Sequence, residues 1–300
     1  MSDASAQAGP PPPNVDPTAI RERADGVFII SDRRVPLVPN IGIILGEHSA
    51  LVVDTGMGPA NGEKVLAAAK EIAGYRRLVL TLTHFHPEHG FGAQVFKEAA
   101  QILYNRAQCD ELQTKGQSYL GMFRTFGPGV AAALEGTEIV MPDTVYEGAS
   151  EEIDLGGRKV ELRNWGLGHT RGDQVVWLPE ESVLFTGDLA EERIFPIFPW
   201  FPPNDADLDA TRWAESLAEM AGWKPKTVVP GHGDVGGTEI LTAVRDYMLD
   251  LEKRVAERRK AGDDADRIIA ELGPQIRNEH PDWNAPEWID FAIRYYAAQT

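Results

Sequence analysis

Residues 83–90 read THFHPEHG. The chain holds seven histidines, and His84, His86 and His89 fall within six positions of one another here, with Glu88 among them. The preceding run RLVLTL (77–82) is apolar and reads as a buried strand, so the cluster stands at that strand's exit. On an extended backbone His84 and His86 project to the same side, because successive side chains alternate. A turn into helix after Pro87 would point Glu88 and His89 away from that pair while keeping them close. One short loop can then supply two ligand sets to two adjacent cations. Neutral imidazole nitrogens suit zinc, and an added carboxylate keeps the site open to iron or manganese.

Each set needs partners from elsewhere in the chain. Three residues qualify: His169 in GLGHTRGD (166–173), Asp188 in FTGDLA (185–190) and His232 in PGHGD (230–234). All three sit in glycine-rich exits beside apolar strands, where backbone can approach a buried ion closely. Taken singly, His232 reads as a turn or core histidine, Asp188 as a turn residue and His169 as a helix cap. Together with the 83–90 cluster they read as ligands, because packing does not call for so many imidazoles in matching contexts.

The flanking pattern repeats. NIGIILGEHSALVVDTG (40–56) reads as a hairpin of strands 41–45 and 50–53, followed by a helix in NGEKVLAAAKEIAG (61–74) with Val65, Ala68 and Ile72 on its buried face. DQVVWLPEESVLFTGDLA (173–190) is again strand, acidic turn and strand. A helix in 207–222, with Leu208, Trp213, Leu217 and Met220 near one face, leads to the strand TVV (227–229). Each half therefore runs hairpin, helix, strand, then histidine, as expected of a diverged internal duplication. Two such halves predict an α/β protein, a four-layer αββα sandwich over residues 19–237. Residues 238–300 predict a helical C-terminal extension packed on it, with Ile240, Val244, Tyr247, Leu251 and Val255 on one stripe and with Pro274, Pro281 and Pro286 interrupting the remainder of the chain.

Composition narrows the partners. Over 300 residues the formal net charge is −17, a field that repels phosphate backbones and anionic membranes, so neither nucleic acid nor membrane is an expected partner. The single cysteine, Cys109, excludes a disulfide framework and a cysteine-based zinc site. Residues 1–18 carry four consecutive prolines and no apolar signal segment, and predict a mobile arm on a cytoplasmic protein.

The string His84-Phe-His86-Pro-Glu88-His89, with VVDTG (52–56) upstream and His169, Asp188 and PGHG downstream, resembles the metallo-β-lactamase-fold superfamily of metallohydrolases. The resemblance spans roughly residues 25 to 235. It implies a two-metal centre, typically zinc, with one cation on His84, His86 and His169. The other would lie on residue 88, His89 and His232, with Asp188 bridging and Asp54 orienting ligands from behind. The family usually carries aspartate where this chain has Glu88. Three outcomes are open to the added methylene: Glu88 reaches the second cation, acts on it through a bridging water, or stays free of metal as a general base.

The chemistry implied is hydrolysis of a small-molecule ester, lactone, thioester or lactam by a water that the cations acidify, with Asp188 or Glu88 moving the proton. Two other activities fit the resemblance: a mononuclear iron oxidoreductase of the persulfide dioxygenase type on His84, His86 and Asp188 or His169, and a non-catalytic metal-binding protein. Asp188 and the missing signal count against a dedicated β-lactamase. For the substrate wall the aromatic loop FPIFPWFPPN (195–204) offers Phe195, Phe198, Trp200 and Phe201, although it reads equally as a packed connector between the halves, and SYLGMFRTFGPG (118–129) offers Tyr119 and Phe123. The second stretch reads equally as a lid, a homodimer contact or core.

Overall fold

Short apolar runs joined by turns build the first half of the chain into one sheet. The computed structural model describes residues 11–299. They divide into two units, the first running up to Tyr146 with Asp154–Arg158, the second comprising Glu147–Ile153 and everything from Lys159. In the first unit β1 (Ile20–Ala24), β2 (Val27–Ile30), β3 (Ile41–Leu45), β4 (Ser49–Val53), β5 (Arg77–Thr81), β6 (Ala100–Asn105) and β7 (Thr144–Tyr146) lie side by side in chain order. The expected hairpin forms, with Gly42 opposite Val53 and Leu45 opposite Ala50. Its short turn forces β3 and β4 antiparallel, whereas α1 (Gly58–Ala73) is long enough to carry the chain back so that β5 lies parallel to β4. The same rule makes β5, β6 and β7 parallel neighbours.

α1 ends at Gly74, whose φ of 61° with a ψ of −117° is a conformation that glycine adopts far more readily than other residues. Its fully buried face is Gly62, Val65, Ala69 and Ala73, while Ala68 and Ile72 are half-buried. That face is rotated from the expected one because Gly62 presses backbone to backbone on Gly92. A Cβ at position 62 would stand 2.3 Å from the Gly92 carbonyl oxygen.

Part of the expected arm is docked. Residues 1–10 lie outside the described residues, but Val15 is buried and its N–H donates to Asn61 Oδ1 at 2.9 Å. Asn61 Nδ2 in turn donates to the Pro13 and Met57 carbonyls at 2.7 and 2.8 Å. An extended proline-rich backbone makes no hydrogen bonds of its own, so a side-chain amide on α1 satisfies it.

The second unit repeats the hairpin–helix–strand order. Its sheet runs β12 (Thr227–Pro230), β11 (Val183–Gly187), β10 (Asp173–Leu178), β9 (Lys159–Gly166), β8 (Ser150–Asp154). β10 pairs antiparallel with β9 and β11, and β12 lies parallel to β11 after a crossover through α5 (Ala210–Gly222). Trp213, Leu217 and Met220 of α5 are fully buried, as their spacing predicts.

α6 (Glu239–Lys260) buries Ile240, Val244, Tyr247, Leu251 and Val255 along one stripe. With α7 (Ala265–Glu279) and α8 (Trp288–Gln299) it closes on the same core as Val175, Leu184 and Trp213, so the C-terminal helices belong to this unit's core. Pro274 does not break α7, which runs through it. The proline sits on the exposed side, where water can satisfy the carbonyl it leaves without an amide partner. Among the described residues no helix is long and apolar enough to cross a membrane.

Candidate functional site

In the first unit the site grows from the ends of β4 and β5. Asp54 follows β4 at a φ of 67°, a left-handed conformation that aspartate tolerates better than most residues. Its Oδ1 accepts the Thr83 N–H at 2.7 Å, and its Oδ2 accepts the Thr83 hydroxyl at 2.9 Å. The same Oδ2 lies 2.8 Å from Nδ1 of His89. A carboxylate only accepts, so Nδ1 carries the proton and Nε2 of His89 keeps its lone pair for a ligand. The Thr83 hydroxyl, already donating to Asp54, can accept from His84 Nδ1 at 3.2 Å, which leaves His84 in the same tautomer.

After Pro87 the chain makes one helical turn, α2 (Pro87–Gly90), with the His89 and Gly90 amides donating to the His86 carbonyl at 3.1 and 2.9 Å. Thr55 ties that turn to the end of β4, its N–H and hydroxyl both donating to the His89 carbonyl. His84, His86, Glu88 and His89 are all buried. The His84 ring centroid lies 4.6 Å from that of His86 and 4.2 Å from that of His89. Ligand atoms of His84 and His86 lie within 4.8 Å of each other, and so do those of Glu88 and His89.

In the second unit three strand exits meet at Asp188. His169 lies between β9 and β10 in a loop braced by Asp173, which accepts from the Thr170 N–H at 2.9 Å and from its hydroxyl at 2.5 Å. Gly168 leaves room for these side chains, since a Cβ there would stand 2.7 Å from both Asp173 Oδ2 and Leu189 Cδ2. Asp188 follows β11, and His232 follows β12 in PGHG. Oδ2 of Asp188 lies 3.9 Å from His169 Nε2, and Oδ1 lies 3.8 Å from His232 Nε2.

Those separations exceed a hydrogen bond. They match two ligands of one cation, which stand about 3.4 to 4 Å apart when each metal bond is about 2.1 Å. The donor set of each unit, buried imidazole nitrogens and carboxylate oxygens without a thiolate, suits a divalent cation of the zinc, manganese or iron kind. Cys109 takes no part and is packed in α3 (Arg106–Phe123).

The expected substrate wall is differently placed. Phe195 and Phe198 are core residues of the second unit, Phe195 against Tyr247 and Trp283 and Phe198 against Trp213 and Tyr296. Prolines around them hold the loop extended but do not keep its rings out of the core. Trp200 and Phe201 are half-buried with ring centroids 5.9 Å apart. Tyr119 and Phe123 are buried and pack along α3 toward the histidine loop. Sequence reading passed over the braces Thr83, Thr170 and Asp173. All three are polar residues within the two histidine stretches, and that proximity was the available signal.

Known proteins resemble this chain. The family model described as the metallo-beta-lactamase superfamily matches residues 34–232. The chain is 28% identical over 209 residues to a type 2 metallo-beta-lactamase of Bacteroides fragilis, covering 68% of this chain and 73% of that protein. It is 27% identical over 243 residues to an acyl-coenzyme A thioesterase of Homo sapiens, covering 74% and 84%. Among solved structures, the inverting sec-alkylsulfatase of Pseudomonas sp. matches with a TM-score of 0.67 at 16% identity, covering 93% of this chain and 50% of that one. At that identity the likeness is one of fold alone.

Proposed function

This chain belongs to the metallo-beta-lactamase superfamily of metal-dependent hydrolases, and from that premise we propose that it uses two zinc ions to hydrolyse a small-molecule ester, lactone, thioester or lactam. The observation that carries this reading is Asp188, whose two oxygens face two different histidines at cation-sharing distances. In the proposed centre His84, His86 and His169 would hold one cation, Glu88, His89 and His232 would hold the other, and Asp188 would contribute to both. Glu88 is taken as a ligand because its carboxylate shares the reach of His89 within the loop.

Bound there, the cations supply Lewis acidity toward a carbonyl oxygen and an acidified water as nucleophile. The protein's part is orientation and charge. Asp54 and Thr83 hold His89 and His84 in the tautomer that presents Nε2. Two carboxylates against two divalent cations leave a net positive field where negative charge develops on the substrate oxygen. Asp188 or Glu88 would carry the proton of that water toward the leaving group. The named relatives support an acyl substrate, since a β-lactam and an acyl thioester both react at a carbonyl carbon.

Protein of measured metal content, assayed side by side on lactones, thioesters, β-lactams and phosphodiesters, tests the proposal. Close to two zinc per chain and turnover of at least one acyl class are expected, with His86→Ala reducing that turnover to background. One iron per chain, turnover confined to phosphodiesters, or an unimpaired His86→Ala enzyme would each overturn it.

A further inference from the structure

We propose that Tyr119 is a positioning residue for His86, its ring fixing the plane in which that imidazole presents its lone pair. The inference rests on the metal-centre reading above. Rotation of an imidazole about its outer side-chain bond is soft, so a ligand ring must be held from outside. Asp54 holds His89, and Thr83 holds His84. On His86 the structure places a ring stack: the Tyr119 centroid lies 5.0 Å from it with the planes 26° apart. That spacing lies within the range in which offset aromatic stacking is favourable.

The stack is itself braced. Phe85 meets both rings edge-on, 4.9 Å from Tyr119 at 78° and 4.9 Å from His86 at 63°. Phe123 lies one helical turn further along, 6.3 Å from Tyr119. Lys115, one turn earlier, sits 5.7 Å over the Phe85 ring and is tied to Glu111 at 2.9 Å. Glu111, Lys115, Tyr119 and Phe123 recur every fourth residue and so form one stripe of α3. His86 is thereby gripped between the edge of Phe85 and the face of Tyr119, all three buried. Ligand positions must hold to about 0.2 Å for a metal site to keep its affinity, and such a clamp supplies that rigidity.

Packing alone would explain burial of the ring but not a dependence of metal affinity on its aromaticity. Full-length Tyr119→Phe, Tyr119→Leu and Tyr119→Met proteins are compared by zinc titration against a competing chelator and by the absorption bands of the cobalt-loaded forms. Apo-protein melting is followed alongside. Tyr119→Phe keeps the stack and is expected to bind zinc within about twofold of the parent. Tyr119→Leu and Tyr119→Met keep an apolar side chain without the ring and are expected to lose about tenfold in affinity with altered cobalt bands. Met, the more adaptable filler, carries the test if the Leu protein fails to fold. If the parent binds zinc while the folded aliphatic variants bind it equally well, or if Phe loses as much as they do, the positioning role falls and the metal centre stands. Failure of the parent itself to bind zinc removes the centre.

Discussion

Asp54 and Asp188 occupy corresponding places in the two units. Each comes directly after the second strand of an antiparallel hairpin, and each strand leads through a helix to a parallel strand whose exit carries histidine. Asp54 commits both oxygens to contacts of 2.7 to 2.9 Å with Thr83 and His89. Asp188 stands 3.8 and 3.9 Å from two imidazole nitrogens. The neighbouring exit decides the difference. Opposite Asp54, Thr83 offers an amide and a hydroxyl at hydrogen-bond range. Opposite Asp188 stands Gly231, where a Cβ would lie only 1.9 Å from Oδ1. A glycine makes room for a carboxylate that reaches outward, and a threonine captures one that braces. One topological slot thus yields a support in the first unit and, in the proposed centre, a ligand in the second.

The largest effect should come from Asp188. In the proposed centre it serves both cations, so Asp188→Ala is expected to weaken zinc binding at both positions by more than about 100-fold and to reduce turnover to background. Metal analysis after dialysis, with circular dichroism to confirm the fold, measures this. A variant that retains two zinc ions would erase the distinction between the two aspartates. Glu88→Gln should have a smaller effect, because Glu88 serves one cation. The amide keeps the length and shape of the side chain but loses the charge, so zinc is expected to fall from two per chain toward one. Loss of neither ion would make Glu88 a residue outside the metal shell, and loss of both would make it as central as Asp188.

Much of the fold and the site is legible in the sequence. Hairpins and helices obey local periods, which is why β3, β4, α5 and the α6 stripe fall where the spacing predicts. The candidate ligands are legible because they are dense in one loop and recur in glycine-rich exits. What escapes depends on contacts between residues distant in the chain. Asn61 capturing the backbone of residues 13–15, Gly92 rotating α1 by its contact with Gly62, and Phe195 turning into a core shared with α6 leave no mark on local pattern. Tyr119 is visible as an aromatic residue at helical spacing, but the same spacing fits a lid, a dimer contact or core. Only the position of the His86 ring separates them.

Asp54→Asn probes the comparison most finely, since it alters one atom and preserves the left-handed backbone that asparagine also tolerates. The Thr83 N–H still needs an acceptor, so the amide oxygen takes the place of Oδ1 and the NH₂ group the place of Oδ2. That NH₂ can donate to the Thr83 hydroxyl, but it meets His89 Nδ1 donor to donor. His89 escapes by shifting its proton to Nε2, the nitrogen proposed to face the metal, and must return that proton to Nδ1, against the amide, before it can bind. Zinc affinity at the His89 position should drop by about 10- to 100-fold, as for other carboxylates that orient a ligating histidine. Both positions should still fill at saturating zinc, unlike the Asp188→Ala protein. Stepwise titration against a chelator reads this directly. Equal affinity in the variant and the parent would mean that Asp54 holds the loop together without setting the tautomer. Its tie to Thr83 would then be its whole contribution to the site.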